Sequence, residues 1–149
     1  MQRMLLAFVS LVFAAWLVPA SAQPAEGAMK RLQGSWVASK AERDGKPADD
    51  VVGHRLTFTG RQFQIEDRGG KTVFKGTATV NASTKPAAID FLHAEGMLKG
   101  KLWKGIYALD GNTLRICDNA EDLGKPRPGA FAAQLHSGYV LITFARDRK

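Results

Sequence analysis

The sequence predicts an all-β domain, an eight-stranded antiparallel up-and-down barrel, and three observations lead there. Turn pairs punctuate the chain at short intervals: Asp44-Gly45, Thr59-Gly60, Gly69-Gly70, Lys85-Pro86, Asp110-Gly111 and Pro128-Gly129. Between them lie short runs rich in Val, Ile, Phe, Thr and Tyr, with no helix-length periodic segment intervening. That spacing belongs to a β meander and not to βαβ units. Several runs also alternate apolar and polar residues, as strands with one buried face do. An open sheet of this length would leave two raw edges, and closure into a barrel removes them.

The elements follow in order. Residues 1–22 read as a secretory signal: Arg3 near the start, an uncharged apolar run from Met4 to Val18, Pro19, then Ala20-Ser21-Ala22. Such a run is too short to span a bilayer comfortably, and the small residues suit cleavage between Ala22 and Gln23. The expected domain is therefore residues 23–149, exported to the periplasm or beyond the cell, with no transmembrane segment. Residues 25–32 suggest one helical turn that plugs an end of the barrel. Strands are expected at 35–43, 54–59, 62–67, 71–81, 87–93, 102–109, 113–118 and 139–146. Phe74, Gly76, Ala78 and Val80 share one face of the fourth strand, and Leu114 and Ile116 alternate with Arg115. Val140, Ile142 and Phe144 form a further apolar row. Asp110-Gly111-Asn112 is a tight hairpin signal, because positive-φ turn positions favour Gly and Asn. The long connection at 119–137, carrying Pro126 and Pro128, is expected to lie across a barrel mouth.

Composition sets the remaining bounds. A chain of 149 residues is one domain's worth, enough to bury a core without staples. With 23% charged and 45% apolar residues it is neither disordered nor a membrane bundle. The formal charge of +7 comes from scattered residues and does not form a nucleic-acid stripe. An exported basic chain meets anionic envelope surfaces first. Cys117 is the only cysteine, so an oxidising compartment supplies no internal disulfide. Alternation with Leu114 and Ile116 points Cys117 outward, yet its residue type argues for burial. Burial is expected, through a bulge or beneath the 119–137 connection.

Motifs for chemistry fail in turn. Gly70-Lys71-Thr72 lacks the upstream glycine of a phosphate-binding loop and leads into a strand. His54, His93 and His136 have no ligand spacing, so no metal site is expected. Asp49-Asp50, Glu66-Asp67 and Glu121-Asp122 are adjacent pairs, which on a strand point to opposite faces and read as surface charges. No serine-nucleophile elbow is present. Neither catalytic residues nor a cofactor is expected, and the protein reads as a non-enzyme.

Gly34-Ser35-Trp36 opens the first strand after the helical turn. It resembles the Gly-x-Trp signature of lipocalins and the wider calycin barrels. That resemblance implies structural roles for Gly34, Trp36 and Arg146: the indole closes the barrel floor and a basic residue of the last strand stacks on it. Longer matches narrow the likeness. Leu32 to Trp36, Ala41 to Pro47, Lys85 to Asp90, Gly105 to Cys117 and Gly124 to Pro128 resemble, in order, the small bacterial lipocalin-like domain abundant in Planctomycetes. That family implies a fold and no catalytic residues.

Two functions follow from this reading. The first is an exported carrier of a small apolar or amphipathic ligand, lined by Phe58, Phe74, Phe91, Tyr107 and Phe144, with Phe63 and Ile142 as further wall candidates and Ile106 as the alternative to Tyr107. Small inward residues, Gly76, Ala78 and Gly105, would leave room for it. Lys40, His54, His93 and Tyr107 are the polar side chains that could reach a head group. The alternative is a packed barrel that binds an envelope protein or polymer, using the basic balance and the stiff 124–129 loop. No nucleic-acid partner is expected under either reading.

Overall fold

The computed structural model describes residues 22–149; the expected signal at 1–22 therefore lies almost wholly outside the described residues. The chain forms α1 (Ala22–Leu32), β1 (Gly34–Arg43), β2 (Lys46–Pro47), β3 (Arg55–Thr59), β4 (Gln62–Glu66), β5 (Thr72–Asn81), β6 (Ala87–His93), β7 (Leu102–Asp110), β8 (Thr113–Asp118) and β9 (Val140–Arg146). β1 pairs antiparallel with β3, each strand from β3 to β8 pairs antiparallel with the next, and β9 returns to β1, so eight strands close into an up-and-down barrel. The two-residue β2 is an appendage, folding back on Glu42 and Arg43 at the end of β1.

One departure from the expected alternation decides what the barrel holds. Along β1, Trp36 faces Arg146 and Ala38 faces Phe144, but the next pair is Lys40 with Thr143. Ser39 is the extra residue, and a single extra residue moves everything after it to the opposite face. Ala41 then lies opposite Ile142 and Arg43 opposite Val140, on the inner side. Lys40 is turned out to solvent, where it pairs with Glu42 at 3.0 Å. The expectation that Lys40 reaches inward is thereby overturned.

The core fills the barrel from its plugged end upward. Trp36, Leu56, Phe58, Phe63, Ala78, Ile89, Phe91, Tyr107, Leu114 and Phe144 form one buried cluster, to which α1 adds Met29 and Leu32. At 11 residues, α1 is about three turns and not the single turn expected. Its apolar face covers the end where β1 starts and β9 finishes. Lys30 and Arg31 occupy its last turn, where the helix dipole favours positive charge.

The 119–137 connection is a strap on the outer wall, and only its start reaches the mouth. Arg127 forks onto Asp90 of β6, at 2.6 Å and 3.1 Å, and donates to the Gly105 carbonyl at 2.7 Å. Asn119, fully buried, accepts from the Lys104 N–H and donates to the Lys125 carbonyl, each at 2.8 Å. Farther along, the Gly45 N–H donates to Ala133 at 2.6 Å. The reason for this course is the outward apolar face of β6–β8, where Ala88, Ile106 and Cys117 would otherwise meet water. Cys117 is buried beneath the strap, its thiol directed at the Ala132 carbonyl, 3.5 Å away. Ile106 belongs to this outer layer and not to the interior.

Candidate functional site

The open end of the barrel lies opposite α1, where β1, β4, β6 and β8 finish. A cavity of about 320 Å³ opens there. Its walls are Ile65, Phe74, Leu98, Trp103, Ile142 and Phe144, inward residues of four strands and of the 3₁₀ turn Gly96–Leu98. Around the rim stand Arg43, Asp50, His54, Asp118 and Glu121. A groove of about 440 Å³ also runs between α1 and β5, but it is the more open and more polar of the two.

Three pieces of backbone set the rim. The bulge at Ser39 turns Arg43 inward. The 44–54 link, tied down by Ala48 N–H to Ala41 and Gly53 N–H to Ala38, brings Asp50 and His54 alongside. Asp118 ends β8 on the same face as Leu114 and Ile116, opposite Gly105. A Cβ on Gly105 would press on the Cys117 carbonyl at 2.9 Å and lie 3.0 Å from the Asp118 Cβ, so the glycine lets β7 and β8 approach closely here.

The rim charges are unequally satisfied. Arg43 holds Asp50 at 2.8 Å and Glu121 at 3.5 Å. The hydrogen bond from Arg43 holds the Asp50 carboxyl below its ordinary range, and the same bond raises the guanidinium. Asp118 is 5% exposed and accepts one hydrogen bond, from the Ala120 N–H at 3.1 Å. No Lys, Arg or His among the described residues pairs with it. Burial pushes its carboxyl up to about 7, and Glu121 adds to the push.

Around two of the cavity walls, Phe74 and Trp103, aromatic rings are packed together. His93 lies 4.2 Å from Trp103 and 5.5 Å from both Phe63 and Phe74, centroid to centroid. Phe74 meets Trp103 edge-on at 4.9 Å. Neither ring nitrogen of His93 has a hydrogen-bond partner, nor does Trp103 Nε1. Burial lowers the pKa of His93, so the ring is held neutral among its neighbours. Buried polar atoms without partners are uncommon.

Of the predicted ligand-lining residues, the structure brings Phe74 and Phe144 to the cavity. Phe58, Phe91 and Tyr107 are interior too, but they are packed core beneath it. Tyr107 sits opposite Ala87, toward the plugged end. Gly76 and Gly105 do not leave empty volume: a Cβ on Gly76 would collide with the Leu92 carbonyl, and one on Gly105 would crowd the Cys117 carbonyl at 2.9 Å. They permit close backbone approach. His54 reaches the rim, whereas His93 is buried and does not line the cavity.

Arg43, Trp103, Asp118 and Glu121 were not anticipated. Parity along β7 and β8 could have found two of them, since Trp103 shares a face with Gly105 and Tyr107, and Asp118 with Ile116. Arg43 could not be found that way, because its orientation depends on the bulge.

No group of three or more His, Cys, Asp or Glu side chains is placed to hold a metal ion among the described residues. No helix among them is long and apolar enough to cross a membrane. Compared with known proteins, the chain matches no family model, no curated protein and no solved structure.

Proposed function

We propose that this protein is an exported, lipocalin-like binding protein that takes a small apolar or amphipathic molecule into the mouth of its barrel. One observation carries the reading: an apolar-walled cavity of about 320 Å³ with a polar rim, at the only end of the barrel that α1 leaves open. Small-molecule pockets run from ~300 to ~1,000 Å³, apolar in lining with a few polar groups at fixed places. At the low end of that range the ligand is compact, an aromatic or short-chain molecule and not a long acyl chain. Burying it gains about 25 cal/mol per Å² before ordering costs. Export is supported by the signal-like pattern at residues 1–22, and the family by the segments that surround Gly34-Ser35-Trp36.

The test is titration of the mature protein with the neutral fluorophore N-phenyl-naphthylamine, alongside mass spectrometry of an organic extract. Saturable binding of one probe per chain, lost in Phe74→Glu with the β-sheet circular dichroism retained, is the expected result. A wild-type protein that binds no probe and carries no extractable ligand overturns the carrier. The reading that then replaces it is a surface-binding module, with fully exposed Met97 and largely exposed Leu135 as its apolar anchors.

A further inference from the structure

We propose that the mouth cavity selects an organic cation: a compact apolar molecule carrying a protonated amine, whose ammonium group pairs with Asp118. This rests on the carrier reading and names the chemical class of its ligand. The fatty acids that an apolar barrel first suggests are the wrong sign for this one.

The charges on the lining decide the matter. Arg43 is the single fixed cation there, and it already holds two carboxylates, Asp50 and Glu121. Asp118 is the third carboxylate, and the ion pairs leave it out. His54 aside, the rim sets one guanidinium against three carboxylates. A ligand carboxylate would meet no free cation and would bring a further negative charge beside a buried one. An ammonium would supply the missing partner in a place screened from water, where opposite charges attract strongly. This local sign runs against the chain as a whole, which carries +7. The acidic rim is therefore a feature of the cavity and not of the composition.

The walls favour the same ligand. Phe74 and Trp103 stand edge-to-face at the cavity, and Phe144 of β9 also lines it. Aromatic faces attract ammonium groups through their quadrupole, most strongly where water is excluded. Asp118 at the rim and aromatic rings beneath give the charged and apolar parts of an amphipathic amine separate places.

The side chains that bear on the ammonium are Arg43 from β1, Asp50 and His54 from the 44–54 link, Asp118 from β8 and Glu121 from the strap. Burial pushes the Asp118 carboxyl up to about 7, so lowering the pH protonates it and weakens amine binding. A His54→Gln variant removes the neighbouring imidazole and leaves Asp118 as the group that the pH series reads.

The experiment compares matched ligands on the mature protein by calorimetry: phenylbutylamine, phenylbutanol and phenylbutyrate at about pH 8, where Asp118 is ionised. The amine should bind about tenfold or more tighter than the alcohol, with the carboxylate weakest. In Asp118→Asn the ratio of amine to alcohol affinity should fall to about one. Should that variant not fold, the pH series decides: the ratio must collapse between about pH 8 and about pH 5, and must still do so in His54→Gln. Equal binding of amine, alcohol and carboxylate overturns the cation proposal and leaves the carrier standing. A ratio that survives Asp118→Asn, or survives acid, also overturns it. If none of the three binds, the carrier reading falls and this proposal with it.

Discussion

The guanidinium of Arg146 lies over the indole of Trp36, 4.0 Å from the ring centroid, and from there donates to the Gln33 carbonyl at 3.0 Å and the Arg31 carbonyl at 3.1 Å. One side chain of the last strand thus stacks on the first strand and caps the helix that plugs the barrel. The indole N–H completes the arrangement by donating to the Leu32 carbonyl at 2.9 Å. Helix C-termini leave carbonyls without intrahelical partners, and a cation there also opposes the negative end of the dipole. The barrel closure and the helix plug are therefore one structural unit.

Arg146→Ala should destabilise the protein by about 2–3 kcal/mol, combining the lost stacking with two charge-assisted hydrogen bonds. Trp36→Ala should cost more, ~3–5 kcal/mol, since the ring is fully buried. Urea unfolding measures both. A double variant less destabilised than the sum would confirm that the two side chains act together.

Cys117 should resist thiol reagents in the native protein. It is fully buried, and burial pushes its thiol up to about 11, so little thiolate exists at neutral pH. Arg127→Ala releases the strap from Asp90 and should speed labelling by about tenfold or more, one decade for each ~1.4 kcal/mol of strap anchoring lost. Labelling rates without denaturant check this, with full reaction in guanidinium as the reference.

The empty protein should lose stability as pH rises from about 4 to about 7 through Asp118. Its carboxyl is raised by burial from an ordinary 3.8 to about 7, so the folded state holds the proton that the unfolded state releases. The protonated form's advantage is present in full below the lower value and is gone above the higher one. Asp118→Asn, an uncharged isostere, should remove this component and gain on the wild type by roughly 1–4 kcal/mol at about pH 8. Denaturant midpoints across pH for both proteins test the sign.

Gly76→Ala should destabilise by about 1–3 kcal/mol although it adds one methyl group to an inward position. The added carbon would press on the Leu92 carbonyl of β6 and on the Phe63 ring, 3.0 Å away. Neither can retreat, because Leu92 is held in the ladder opposite Thr77 and Phe63 is core. Thermal denaturation is sufficient to read the change.

The sequence by itself determined the barrel, because strand alternation and turn chemistry are local and recur along the whole chain. It also determined the Trp36–Arg146 pairing, through the resemblance carried by Gly34-Ser35-Trp36, and the burial of Cys117, through residue type. Only the tertiary structure decided which residues form the cavity. The bulge at Ser39 depends on how β1 meets β9, more than a hundred residues away, and it exchanges Lys40 for Arg43 on the inner face. The course of the 119–137 segment depends on an apolar outer wall that exists only once β6, β7 and β8 are side by side. The charge state of Asp118 depends on burial that arises only when the strands have closed around it. Alternation along a strand fixes a side chain's face relative to its neighbours; closure, bulges and covering loops fix what that face then meets.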